Sequence, residues 1–198
     1  ESLGGTNVKQ DFVELPSQIL EHWATEHEVM KAYALHVDSG EPIPDKLIEK
    51  LKAAEHFNQG FATTEYLAAC YLDMAWHETA AAADADIDLF ERGVMEQIAK
   101  IGVIDPRYKS TYFQHIFSSD DYSAGYYVYL WAEVLDADGF EAFRENGLFD
   151  SVTAASFRKN ILEKGGSVDP MVLYTAFRGR APDVQPLLRN RGLGGEEL

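Results

Sequence analysis

The sequence predicts an all-α fold, a multi-helix bundle. Apolar residues recur at spacings of three and four through most of the chain, and strand-like alternation is scarce. Glycine, proline and aspartate sit at the breaks, where helices start and stop. With 198 residues and 46% hydrophobic content, residues 1–198 read as a single helical domain able to bury a sizeable core. There are no internal repeats.

Residues 1–10 read as a loop, punctuated by Gly4-Gly5. A helix from about Asp11 to Thr25 follows, with Asp11 as its N-cap. Pro16 either kinks that helix or confines Glu14 to its opening. Val13, Ile19, Leu20 and Trp23 supply its apolar surface. Val29 to Val37 is the next helix, stopped by Ser39-Gly40. Pro44 and Asp45 open a third, with Leu47, Leu51 and Ala54 as its stripe. His56 to Gly60 interrupts the pattern. The longest helix then runs from about Phe61 to Ala83, apolar nearly all round and so expected at the centre of the bundle. Within it Cys70 reads as a small buried residue and His77 as a structural histidine.

Ala80 to Asp88 is small and acidic, a fraying end and linker. Leu89 to Ile101 carries Phe90, Val94, Ile98 and Ile101 at helical spacing, and Gly102 to Ser110 is a loop. Four distal helices are expected over Tyr122–Leu135, Gly139–Arg144, Ser151–Lys164 and Pro170–Arg178. Asp150 or Ser151 caps one, Asp169-Pro170 opens another, and Gly165-Gly166 ends the helix between. Residues 192–198 should be loose, and a short strand near the loops is the only β structure allowed for.

Net charge of −16 argues against sequence-independent nucleic-acid binding, which needs cationic phosphate contacts, and disfavours anionic membrane surfaces. No apolar run approaches membrane-spanning length. A single cysteine excludes an internal disulfide framework.

Two stretches carry chemistry. In Asp11-Phe-Val-Glu-Leu-Pro-Ser-Gln-Ile-Leu-Glu-His-Trp23, Glu14, Gln18 and Glu21 fall at i, i+4 and i+7, on one helix face. A carboxylate on a partly buried helix needs a partner: a cation, hydrogen-bond donors or a metal. From spacing alone, an amphipathic helix with solvated acids also accounts for it. In His115-Ile-Phe-Ser-Ser-Asp-Asp-Tyr-Ser-Ala-Gly-Tyr-Tyr-Val-Tyr-Leu-Trp131, Tyr122, Tyr126 and Tyr129 repeat the same spacing. Phenols stay protonated at neutral pH and can stabilise an oxyanion without a full charge. An aromatic core stripe with its hydroxyls in water is the plainer alternative.

The wording of both stretches resembles the thimet oligopeptidase and dipeptidyl carboxypeptidase family of zinc metallopeptidases. The ending Phe177-Arg-Gly-Arg-Ala-Pro182 resembles the family's C-terminus, so the likeness covers essentially the whole chain. It implies the C-terminal part of a zincin-type catalytic domain, with Glu14 as third zinc ligand after a His-Glu-x-x-His helix. Gln18 and Glu21 would orient ligands, or remain ordinary helix polars. By the same resemblance His115, Tyr122 and Tyr129 contact the substrate and stabilise the tetrahedral intermediate, with Tyr126 lining the site.

Departures matter. No His-Glu-x-x-His occurs in the sequence, and the family's glycine-rich loop is Ser118-Ser119-Asp120-Asp121 here. The chain begins at Glu1, which suggests a fragment of a longer peptidase or a homologue without its catalytic helix. Alone, it is expected to be inactive and to hold no stoichiometric zinc.

The implied activity is release of C-terminal dipeptides from short peptides, completed by the missing N-terminal part of the same chain. An endo-acting oligopeptidase and a non-catalytic helical interaction module are the alternatives. Arg178 and Arg180 pair either with a substrate carboxylate or with local acids. The cytoplasm is the expected compartment, with the periplasm as alternative.

Overall fold

The computed structural model describes residues 2–4, 6–79, 86–98 and 102–194. Among them the chain is helical: α1 (Leu15–Thr25), α2 (His27–Tyr33), α3 (Asp45–Glu55), α4 (Gln59–Glu78), α5 (Ile87–Gln97), α6 (Gln114–Phe117), α7 (Val128–Asn146), α8 (Ser151–Phe157), α9 (Pro170–Arg178) and α10 (Gln185–Asn190). The only β pairing there is one isolated bridge, Leu35 to Pro42. No helix of the described residues is long and apolar enough to cross a membrane. The chain divides into two compact units, residues 1–57 with 130–198, and residues 58–129.

In the first unit, a tight 3-10 turn at Gln10–Phe12 precedes α1, so Asp11 is not the N-cap. Glu14 holds the cap position and Pro16 lies in the first turn, where its missing N–H has no intrahelical partner to lose. Leu15 and Ile19 are fully buried and Trp23 packs beside them, but Leu20 faces solvent. The helix is therefore rotated from the expected stripe. Likewise α2 stops at Tyr33 rather than Val37, because Leu35 leaves the helix to pair with Pro42. On α3 the buried residue is Ile48, while Leu47 and Leu51 are exposed.

The core of this unit joins Phe12, Leu15, Ile19, Leu135, Phe140, Phe143, Phe157, Tyr174 and Phe177. Two distal helices expected from the sequence are one. α7 runs unbroken through Asp136-Ala137-Asp138-Gly139. Both aspartates are neutralised where they sit. Asp138, fully buried, accepts from the Tyr174 hydroxyl at 2.6 Å and pairs with Arg180. Arg178 donates to the Asp138 carbonyl at 3.0 Å and bidentately to Glu145. Asp136 faces His22 at 2.6 Å. Gly139 gives room at this crossing: a Cβ there would lie 3.2 Å from Ile19 Cδ1.

Past α8, whose cap is Asp150, the helix widens over Arg158–Leu162, with Glu163 N–H donating to the Arg158 carbonyl. Gly165 has φ of +49° and Gly166 passes close to Asn7, so this glycine pair lets the N-terminal segment cross the loop. Gly166 N–H donates to the Ser2 carbonyl at 2.8 Å. α9 has the predicted limits, capped by Asp169. α10 was not foreseen; its apolar anchors are Pro186 and Leu187.

In the second unit α4 starts after Asn58, a left-handed residue with φ of 56°, and ends at Glu78. Its buried positions are Tyr66, Ala68, Ala69, Cys70, Leu72 and Asp73. Burial pushes the Cys70 thiol up to about 11, consistent with an inert packing residue. α5 packs Val94 and Met95 against Ala68 and Leu72, and Phe90 lies 4.0 Å from the Trp76 ring. The linker expected over Ala80–Asp88 lies outside the described residues from 80 to 85, as do Ile101 and residues 195–198.

Replacing Tyr174 by Phe keeps the ring but leaves a fully buried carboxylate one donor short. We expect a loss of about 1–2 kcal/mol, read as a lower urea midpoint with unchanged slope.

Candidate active site

The second unit assembles an aromatic cluster. His115 stands on the short helix α6, anchored from below by buried Ile116. Its Nε2 lies 2.9 Å from the Tyr129 hydroxyl. Its ring sits 4.4 Å from that of Tyr122 and 5.5 Å from that of Tyr126. Tyr122 and Tyr129 stack with centroids 5.7 Å apart and planes within 7°. Tyr126 meets Tyr129 edge-on and is buried against Phe113. All four sequence-predicted residues of this stretch come together.

The route differs from the expected one. Tyr122 to Tyr127 is not helical; α7 begins at Val128. The tyrosines share a patch because the chain turns, not because they lie on one helix face. Gly125 N–H donates to the Tyr122 carbonyl at 2.9 Å, and Ala124 is left-handed with φ of 54°. Asp73 makes that turn preferable to helix. Fully buried on α4, it accepts the Ala124 N–H at 3.0 Å on one oxygen and the Tyr126 N–H at 2.8 Å on the other. A side chain that takes backbone donors competes directly with the helix that would otherwise use them. Asp73 also faces His77 Nδ1 at 2.8 Å, so His77 is engaged structurally, as expected. The Tyr66 hydroxyl donates to the Tyr126 carbonyl at 2.5 Å.

The loop before the cluster, Ser118 to Asp121, closes on itself: Ser119 Oγ donates to Asp121 Oδ2 and accepts its N–H. At the cluster's floor, burial pushes the Tyr126 hydroxyl far above the usual tyrosine range. It stays a neutral phenol at every working pH.

Glu14 belongs to the first unit, half-buried at the opening of α1. Ser17 Oγ donates to its Oε2 at 3.1 Å and to its carbonyl at 2.9 Å. Its carboxylate is an oxygen donor of the type zinc accepts. Among the described residues no three His, Cys, Asp or Glu side chains are disposed to hold a metal. Of the sequence-predicted site residues, Glu14 alone offers a carboxylate oxygen for such an ion.

Gln18 and Glu21 follow Glu14 along α1 and line a cavity of about 270 Å³ with His22, Glu133, Asp136 and Leu187. Two of its three acids are paired: Asp136 with His22, and Glu133 with Arg191. Sequence reasoning missed Asp73, Asp136 and Asp138. A lone aspartate in an apolar helix, four residues before a histidine, was the available signal for Asp73.

Peptidase family M3 matches residues 1–193, and the chain belongs to that family. It is 45% identical over 195 residues to the dipeptidyl carboxypeptidase of Escherichia coli K12, covering 97% of this chain and 28% of that protein. It is 37% identical to oligopeptidase A of the same organism over 97% of this chain, again 28% of the relative. Saccharolysin of Saccharomyces cerevisiae is 33% identical over 96% of this chain and 27% of its own length. The chain therefore spans little more than a quarter of the length of these relatives.

Burial pushes the Asp136 carboxyl above its ordinary 3.8, against the opposing pull of His22. The folded state then holds this proton more tightly than the unfolded state. The associated stability is complete below pH 3.8 and is lost as pH rises through the folded value. Asn at position 136 has no such proton. We expect the stability of Asp136→Asn relative to the parent to improve as pH rises through that window, measured by urea unfolding across a pH series.

Proposed function

We propose that this chain is the C-terminal part of a zinc peptidyl-dipeptidase that releases dipeptides from the free C-terminus of short peptides. The convergence of His115, Tyr122, Tyr126 and Tyr129 on one patch carries the reading. When bound, the zinc supplies a water nucleophile at neutral pH and polarises the scissile carbonyl. Glu14 is the ligand this chain contributes. The two imidazoles and the general base belong to the part of the protein outside it.

The chain's other role is to stabilise charge. Tyr122 and Tyr129 hold phenolic donors beside a histidine, in a patch where Tyr122 and Tyr129 are only half-buried and His115 is exposed. A substrate oxygen can therefore reach them. As charge develops on that oxygen, neutral donors strengthen their hydrogen bonds without the desolvation burden of a buried cation. His115 fixes the Tyr129 hydroxyl through its Nε2. Tyr126, buried and neutral, shapes the floor under both rings. The higher identity to dipeptidyl carboxypeptidase than to oligopeptidase A supports release of dipeptides over internal cleavage.

In the full-length protein, Tyr122→Phe and Tyr129→Phe should each lower kcat by about 10²–10³-fold with little change in KM. A kcat within experimental error of the parent for both would remove the phenols from the chemistry. Glu14→Gln should weaken zinc retention, measured as metal per protein after dialysis. Unchanged metal content and activity would take Glu14 out of the ligand set.

A further inference from the structure

Nothing in the proposed chemistry accounts for Asp73 and His77, yet the pair sits directly behind the tyrosine turn. Asp73 is fully buried on a helix whose neighbours Cys70 and Leu72 are apolar. A carboxylate in such a place is tolerated only when its oxygens are saturated with donors. Here the donors are two backbone N–H groups, those of Ala124 and Tyr126, and one imidazole. The two amides flank Gly125 and belong to the segment between Tyr122 and Tyr127.

Nδ1 of His77 lies 2.8 Å from both the Asp73 carbonyl and Asp73 Oδ1, and 3.2 Å from the Ala124 nitrogen, so the ring touches the carboxylate and the turn together. Its side chain is 22% exposed, against 1% for that of Asp73, and its ring packs 5.8 Å from Phe117. His77 thus closes the accessible side of the carboxylate.

We infer that Asp73, held by His77, is a positioning residue that fixes the Ala124–Tyr126 turn and thereby the placement of the Tyr122 and Tyr126 rings. This deepens the proposed function and rests on it for its catalytic consequence, but the clamp itself is a property of the chain. Three features favour positioning over simple packing. Each oxygen of Asp73 takes a backbone N–H of the turn. The turn contains a left-handed alanine, a conformation unfavourable for any residue with a Cβ unless its surroundings impose it. The Tyr66 hydroxyl bonds the Tyr126 carbonyl, so the same peptide segment is gripped at a donor and an acceptor from one helix.

Asp73→Asn tests this directly. Asparagine keeps the size but offers one acceptor oxygen, and its amide then faces a backbone N–H, donor against donor. In the full-length protein we expect amide exchange at Ala124 and Tyr126 to accelerate by roughly tenfold or more, while Ala68 to Leu72 of α4 keep their protection. With the turn loosened, kcat should fall by roughly tenfold or more and KM should change far less. Loss of protection throughout α4 together with the turn would mark a merely structural role and overturn the inference. So would unchanged exchange at Ala124 and Tyr126.

His77→Ala, which keeps both Asp73 bonds to the turn but removes the His77 Nδ1 contact with the Ala124 N–H, supplies the second variant should Asp73→Asn fail to fold. It should accelerate exchange at the same two amides by a smaller factor, and parent-like exchange there would refute the clamp. Tyr122→Phe measured alongside separates the two readings. If it lowers kcat and Asp73→Asn does not, positioning is wrong. If it leaves kcat unchanged while the turn loosens in Asp73→Asn, the clamp stands and the proposed role of the phenols fails.

Discussion

A buried carboxylate has to be saturated with donors, and that requirement shapes both units of this chain. Asp73 takes its donors from the main chain of a neighbouring segment. That segment cannot then be helical, and its side chains fan onto one patch. Asp138 takes its donors from Tyr174 and Arg180, with Arg178 on its carbonyl, drawing α9 and the residues after it onto α7. Asp136 does the same for α1 through His22. In each case the acid stands on a long helix, and the groups it recruits come from elements far away in sequence. Removing any one carboxylate would spare a desolvation penalty but orphan donors that folding has already committed.

This logic explains which parts of the fold were legible in the sequence. Pro170–Arg178 was read correctly because its signals are local: an aspartate cap, proline in the first turn and a glycine at the end. The helix expected over Leu89–Ile101 followed from its apolar spacing, but it opens earlier, at Ile87 after the Asp86 cap, and ends at Gln97. Tyr122–Leu135 was read as helix from an i, i+4, i+7 stripe that is real but not helical in its first half. The deciding residue lies on α4, some fifty positions away, and periodicity holds no record of it. The reverse error fell on Asp136 to Gly139. By local propensity that stretch should break a helix, yet long-range partners and the close contact with Ile19 keep it continuous. The rotation of α1 and α3 has a similar origin, because which apolar residues face inward depends on the neighbours present.

The candidate site divides along the same line. Its residue identities were legible, since His115, Tyr122, Tyr126 and Tyr129 were all singled out and all converge. Their geometry was not. A helix face would have spread three phenols over two turns, whereas the turn stacks two of them within 7° of parallel beside one imidazole. Glu14 was placed at the opening of its helix by Pro16, as one of two readings allowed. There the cap position frees the carboxylate from the constraints of a helix interior.

Arg178 and Arg180 bear on how a peptide's own terminus would be recognised under the proposed function. A dipeptide-releasing enzyme needs a cation or several donors for the substrate carboxylate. Arg178 is nearly buried, bidentate on Glu145 and bonded to the Asp138 carbonyl, and Glu145 is held below the usual carboxylate range by that pairing. Arg180 is committed to the fully buried Asp138, with Arg178 Nε 3.7 Å from the same oxygen. Diverting Arg180 to a substrate would strip the buried Asp138 of a partner, at a penalty comparable to the binding it gained, and diverting Arg178 would break its bidentate pair with Glu145 and its bond to the Asp138 carbonyl. Both therefore belong to the framework. Under the proposed release of dipeptides, the substrate terminus would meet donors the fold has not already spent.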